Sequence, residues 1–234
     1  MGYVYTVHMT TIVLVPGGGG NGSYWYRLAP LLRARGFEVL TPDLPAGDES
    51  AGVDEYAQAV VDAMGERDDV ILVAQSLGGF TAAAVANRVA VKLLVFVSAM
   101  VPVAGETAGE WWANTGQDDA ARAQALREGR DPDAEWDDRV IFYHDLPAEV
   151  LEHVLAEGEA PQSMTPFRSS VDDDSWRRVP ARAIAGSLDR LFPLELMTRV
   201  NRERLGVDTD VVEAGHCSAL SRPEQLAALI AGYV

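Results

Sequence analysis

Ser76, Asp189 and His216 occur in this order along the chain, and together they carry the groups that nucleophilic hydrolysis requires. A serine hydroxyl is a weak nucleophile at neutral pH, so it needs a base and a third group to orient that base. Ser76 sits in Val70-Ile71-Leu72-Val73-Ala74-Gln75-Ser76-Leu77-Gly78-Gly79-Phe80, an apolar run that passes through the serine into two glycines and an alanine-rich stretch. Four apolar residues suit a fully buried parallel strand, and the stretch after the serine suits a helix. A strand that reverses sharply into a helix lifts the turn residue above the sheet and points helix N–H groups at whatever it attacks. The positions two before and two after must then be small, as Ala74 and Gly78 are. Serine before glycines is also common in loops, but here a strand precedes it and a helix follows.

The base and its orienter follow from position. His216 lies in Glu213-Ala214-Gly215-His216-Cys217, after the last strand signal, and Gly215 gives its loop freedom to place the imidazole. His8 lies near the start, and His144 and His153 lie in a polar mid-chain segment, so only His216 ends a strand downstream of Ser76. Asp189, in Ala185-Gly186-Ser187-Leu188-Asp189-Arg190, ends the penultimate strand. A buried carboxylate there would hold one imidazole tautomer and stabilise the imidazolium. The alternative is a turn aspartate ahead of Pro193. Asp43 precedes the serine and reads as turn chemistry, Asp172 to Asp174 as a solvated loop, and His144-Asp145 as structure rather than catalysis. An oxyanion would need two backbone N–H groups, supplied by Leu77 and by the Gly17–Gly20 run, foremost Gly18. The run fits neither phosphate-binding glycine pattern. No metal or cofactor is implied.

These residues need a frame, and the alternation of apolar runs with helical segments supplies one. Strands are expected at 11–15, 37–41, 70–74, 91–97, 182–185 and 208–213. Helices are expected at 24–35, 53–64, 77–89, 193–205 and 223–233. Such alternation implies one α/β domain, a mostly parallel sheet of about six core strands with helices on both faces. Strand 11–15 should lie between 37–41 and 70–74. The alternation breaks from Val101 to Val179, where the chain is polar, acidic and studded with aromatics. A structureless loop of that length is improbable, so 101–179 reads as an inserted helical cap on a core of 1–100 and 180–234. A ligand would bind between sheet and cap, lined by Gly17, Gly18, Leu77, Trp111, Trp112, Phe142 and Phe167.

Composition narrows the partners. The 234 residues carry a net charge of -16, which argues against nucleic acid or an anionic membrane as a partner. Lys92 is the only lysine, a bias typical of GC-rich bacterial genomes. One cysteine, Cys217, permits no internal disulfide and suits a reducing cytoplasm. The N-terminus lacks a basic region and His8 interrupts its apolar run, so no signal peptide is expected. Residues 1–8 precede a second methionine, Met9, and read as an extended start or an added remnant. The expected partner is a small-molecule substrate, and the expected state a monomer or homodimer.

The chain resembles the α/β-hydrolase superfamily over nearly its whole length. The residues carrying the resemblance are Val15-Pro16-Gly17-Gly18, Ala74-Gln75-Ser76-Leu77-Gly78-Gly79, Gly186-Ser187-Leu188-Asp189 and Gly215-His216. It looks most similar to small bacterial esterase-like members related to plant methylesterases and hydroxynitrile lyases. The stretches 105–112 and 142–147 resemble actinobacterial hydrolases of unassigned substrate. Departures are Pro16, where many relatives have His, and Ala74, where Gly is usual. The resemblance implies Ser76 as nucleophile, His216 as base and Asp189 as orienting acid in an esterase. Epoxide hydrolases and haloalkane dehalogenases of this fold need Asp where Ser76 stands. A plant-type lyase would need a pocket lysine, whereas Lys92 opens its strand. A small-molecule receptor retaining the three residues is the alternative from another class, and turnover of activated esters separates the two.

Overall fold

The computed structural model describes residues 9–158 and 160–234, so His8 and the reading of residues 1–8 lie outside it. Strand β1 (Thr11–Val15) shows how the frame is made. Alternate side chains of a strand point to opposite faces. Val13 and Val15 accordingly enter one buried cluster, while Ile12 and Leu14 enter another on the far side. Strand β3 (Val70–Ser76) and strand β4 (Leu93–Ala99) divide their residues the same way. Leu72, Ala74, Leu94 and Phe96 join Val13, whereas Ile71, Val73, Val95 and Val97 join Ile12. Strands buried on both faces explain the near-continuous apolar runs in the sequence.

The first face is covered by α2 (Val53–Met64), α3 (Gly78–Ala86) and α8 (Leu194–Leu205), which contribute Tyr56, Phe80 and Met197. The second is covered by α1 (Leu28–Arg33), the short α9 (Ser218–Ser221) and α10 (Pro223–Gly232), through Leu28, Leu32, Ala219, Leu226 and Ile230. Strands β2 (Glu38–Leu40), β5 (Ala181–Gly186) and β6 (Thr209–Val212) complete a sheet in the order β2-β1-β3-β4-β5-β6. All of its pairings are parallel, and β1 lies between β2 and β3 as expected. The helix expected over 24–35 is divided into a 3₁₀ turn (Gly22–Trp25) and α1. Pro30 accounts for the break: proline lacks an N–H and is tolerated only in a helix's first turn, where starting at Leu28 puts it.

Between β4 and β5 lie α4 (Ala108–Thr115), α5 (Gln117–Arg127), α6 (Asp138–Ile141), α7 (Ala148–Glu157) and two short 3₁₀ turns. Both ends of this segment are rooted in the first-face cluster, through Trp111 near its start and Val171 and Trp176 near its finish.

Candidate active site

The chain leaves the carboxyl end of β1 toward the edge strand β2 and that of β3 toward β4, so the connections after these two neighbours run apart. Ligands in open α/β sheets bind at such a switch point. Here the two ends present Pro16 to Gly20 and Ser76. Ser76 has a φ of 52°, rare for a residue with a side chain. The surroundings hold this strained conformation in place. The Met100 N–H donates to the Ser76 carbonyl at 2.9 Å, and the β3–β4 register slips between Gln75 and Ser76, bulging out Ser98 (φ 40°). The small residue after the turn is required by a different neighbour than the turn itself. A Cβ on Gly78 would lie 2.5 Å from the Pro16 carbonyl oxygen, so α3 packs against the end of β1 rather than chiefly against Ala74.

Asp189 is fully buried and uses its two oxygens differently. Oδ1 accepts the Leu191 and Phe192 N–H groups, each at 2.9 Å, which is the turn role. Oδ2 lies 2.9 Å from Nδ1 of His216, which is only 2% exposed. This aspartate therefore makes the turn contacts and also meets an imidazole, and the turn fixes the carboxylate that faces it. The loops carrying the pair are joined directly. Ser187 and Leu188 N–H groups donate to Val212 and Ala214 carbonyls at 2.8 and 2.9 Å. A Cβ on Gly186 would lie 2.3 Å from the Ala214 oxygen, so only glycine permits this approach. Phe192 and Phe142 flank the His216 ring at centroid distances of 5.1 and 5.5 Å. Asp43 performs the turn role expected of it, accepting the Gly22 N–H at 2.7 Å.

A cavity of about 1270 Å³ opens over the carboxyl ends of the strands. Ser76 and His216 face it together with Gly17, Gly18, Leu77, Trp112, Phe142 and Phe167. Among the described residues, neither the Gly18 nor the Leu77 backbone N–H has a protein acceptor. Positive φ occurs at Gly19 (81°) and Gly20 (61°) rather than at Gly17 or Gly18. Gly17 is required by closeness instead: a Cβ there would lie 2.8 Å from Cβ of Ser76.

Trp111 is the exception among the expected lining residues. It is fully buried, its ring tilted against Phe192 with centroids 4.9 Å apart, and it belongs to the sheet's own core rather than to the cavity wall. Neighbours on a helix point about 100° apart, so of Trp111 and Trp112 only one can face the cavity. The Thr107–Glu110 capping box, which fixes where α4 begins, is the sequence signal that could have set this register. Trp136, another of the segment's aromatics, is an exposed ring on the cavity that packs on Phe142 at 5.6 Å, and sequence reasoning missed Tyr24 and Gln162 on the wall. Lys92 pairs with Asp69 at 2.8 Å where β4 begins, at the opposite end of the sheet from Ser76.

Sheet order, the strained serine at the switch point and the buried imidazole–carboxylate pair define an α/β-hydrolase-type protein. Residues 12–229 match the model of the alpha/beta hydrolase family, and the chain belongs to that family. It is 26% identical, over an alignment of 247 residues, to a pyrethroid hydrolase of Sphingobium wenxiniae, covering 96% of this chain and 88% of that protein. It is 33% identical over 106 residues to methylesterase 9 of Arabidopsis thaliana, covering 40% of this chain and 41% of that one. The crystal structure of polyneuridine aldehyde esterase shares the fold, with a TM-score of 0.78 at 21% identity over 96% of this chain and 99% of the other. Among the described residues no helix is long and apolar enough to cross a membrane.

Proposed function

We propose that the protein is a serine hydrolase that cleaves an ester, or a related acyl bond, of a small, neutral, largely apolar molecule. The observation that carries this reading is the buried Asp189–His216 pair, 2.9 Å apart, opening onto the same cavity as the strained Ser76. With Nδ1–H donated to Asp189, Nε2 of His216 is the basic nitrogen. Ser76 Oγ attacks the substrate carbonyl carbon and passes its proton to that nitrogen. The Gly18 and Leu77 N–H groups hold the oxyanion that develops. Collapse of the tetrahedral adduct expels the alcohol, which takes its proton from the imidazolium and leaves an acyl-Ser76. Water, deprotonated by His216, then releases the acid and restores the serine.

The cavity supports this substrate class. Its volume exceeds the ordinary range for small-molecule sites. Segment 101–179 is proposed as the cap that covers it, bringing Trp112, Trp136, Phe142 and Phe167 to its wall. Among the described residues, Asp43, Asp137, Asp138 and Glu157 face the cavity against one cation, Arg139, which disfavours anionic substrates and favours departure of a carboxylate product. The names of the pyrethroid hydrolase and methylesterase relatives support ester chemistry.

The test is hydrolysis of a series of 4-nitrophenyl esters by wild-type protein and by Ser76→Ala. Turnover by the wild type, abolished in the variant, is expected. Saturable ester binding without turnover would make the protein a receptor on a hydrolase fold.

A further inference from the structure

Two side chains of the segment between β4 and β5 reach into the site without carrying any of the chemistry proposed above, and each grips one half of it. Asp145, three residues beyond Phe142, accepts the Gly215 N–H through Oδ2 at 2.7 Å. Gln162 accepts the Gly19 N–H through Oε1 at the same 2.7 Å. Gly215 immediately precedes His216, and Gly19 immediately follows Gly18. One acceptor therefore fixes the backbone beside the base, and the other fixes the backbone beside the oxyanion donor. We propose that Asp145 and Gln162 are positioning residues, which set the His216 imidazole and the Gly18 N–H in their reactive places and so make turnover depend on the covering segment being seated.

The local packing fits this purpose. A Cβ on Gly215 would lie 2.6 Å from Asp145 Oδ1 and 3.0 Å from His144 Cε1, so glycine at 215 is what lets this pair close on the base loop. Around them Val150, Leu146 and Tyr143 pack on Cys217 and Leu220, just past the base. At the other grip, a Cβ on Gly19 would lie 2.9 Å from Ala160, and Gly19 itself has a φ of 81°. Gln162 is anchored in turn: its Nε2 donates to Tyr56 Oη at 3.2 Å and to the Ser163 carbonyl at 2.8 Å. The Ser163 N–H donates to the Ala46 carbonyl at 2.7 Å. Neither grip is visible in the sequence, because the bonded residues stand 70 and 143 positions apart. Small displacements of catalytic groups cost rate steeply, up to about 100-fold for a shift of about 1 Å.

This inference rests on the nucleophile and base assigned above, and its test separates the two. The measured quantity is the second-order rate of labelling by a small fluorophosphonate, together with kcat and KM for a 4-nitrophenyl ester and the thermal midpoint. Asp145→Ala and Gln162→Ala should each slow labelling and kcat about 10- to 100-fold, with KM changed far less. Asp145→Asn keeps an acceptor oxygen for the same N–H, and should restore the rate to within a few-fold of wild type. Alanine variants that label at the wild-type rate would overturn the proposal. So would an acceptor-retaining Asp145→Asn as slow as alanine, or alanine variants unfolded at 25 °C, which would make the residues structural. Persistent labelling of Ser76→Ala, by contrast, would remove the nucleophile assignment itself.

Discussion

The sheet and the segment proposed to cover it hold the candidate site by different means. In the sheet, backbone meets backbone. A Cβ on Gly79 would lie 2.0 Å from the Met100 carbonyl oxygen, and one on Gly186 would lie 2.3 Å from that of Ala214. In the segment from Val101 to Val179, the bonds that reach the site run from side chain to backbone, Asp145 to Gly215 and Gln162 to Gly19. Backbone contacts of the first kind admit no alternative rotamer, whereas the second kind can be remade by a new side chain. The difference separates two tasks. The groups proposed to do chemistry stand at the carboxyl ends of the sheet's strands, where close backbone contacts limit their movement. The residues proposed to choose the substrate stand on a segment whose side chains can be exchanged as long as the grips of Asp145 and Gln162 are kept.

The sharpest way to break this comparison is at the acid. Asp189→Asn keeps an oxygen for the Leu191 and Phe192 N–H groups but offers His216 a donor in place of an acceptor, fixing the wrong tautomer. Ester turnover should fall by about 10⁴, the scale seen for the same change in a serine protease, with little loss of stability. A loss under tenfold would mean that the sheet does not supply the decisive chemistry.

The adjacent aromatics of the covering segment sharpen it further. Trp111 is rooted in the sheet's core, so Trp111→Ala should cost about 3–5 kcal/mol in denaturant unfolding. The surviving molecules should keep the wild-type ranking of acyl-chain lengths. Trp136 is 62% exposed, so Trp136→Ala should change stability by no more than about 0.5 kcal/mol. It should instead raise KM several-fold for bulky apolar esters. The reverse pattern would place the boundary between frame and cover elsewhere.

The smallest expected effect lies at the sheet's β2 edge, far from the cover. Hydrogen bonds from Arg67 and Thr11 hold the Glu38 carboxyl down at about 2. Its unfolded counterpart titrates near about 4.3. The depressed value means that the stabilisation is complete above about pH 5 and is lost as pH falls toward 2. About a third of the side chain is exposed, so the pair contributes at most about 1 kcal/mol. The gap in thermal midpoint between wild type and Glu38→Gln should be largest above pH 5 and vanish near pH 2. A gap that is unchanged across that range would show that the loss has another cause.

What the sequence made legible follows the same division. Strands buried on both faces announce themselves as apolar runs, and Ser76, Asp189 and His216 each stand next to one. Their placement therefore needed only local pattern and chain order. The covering segment gives weaker local signals. Trp111 and Trp112 are alike in type and adjacent, and it takes the start and packing of α4 to tell them apart. Trp176 likewise proves to be core, tilted against Phe96 at 6.0 Å. Asp145 reads as structural in sequence because nothing nearby shows that its partner is Gly215. A two-residue error in a strand end, as at β3 and β4, moves no catalytic group. A one-residue ambiguity on a helix decides which tryptophan faces the cavity.

The central claim, that Ser76 is the covalent nucleophile, is tested most directly by intact-mass measurement and peptide mapping after reaction with a fluorophosphonate. One adduct per chain is predicted, on the peptide containing Ser76, absent in Ser76→Ala and slowed by orders of magnitude in His216→Ala. An adduct on another residue, or one that forms undiminished in Ser76→Ala, would contradict the account.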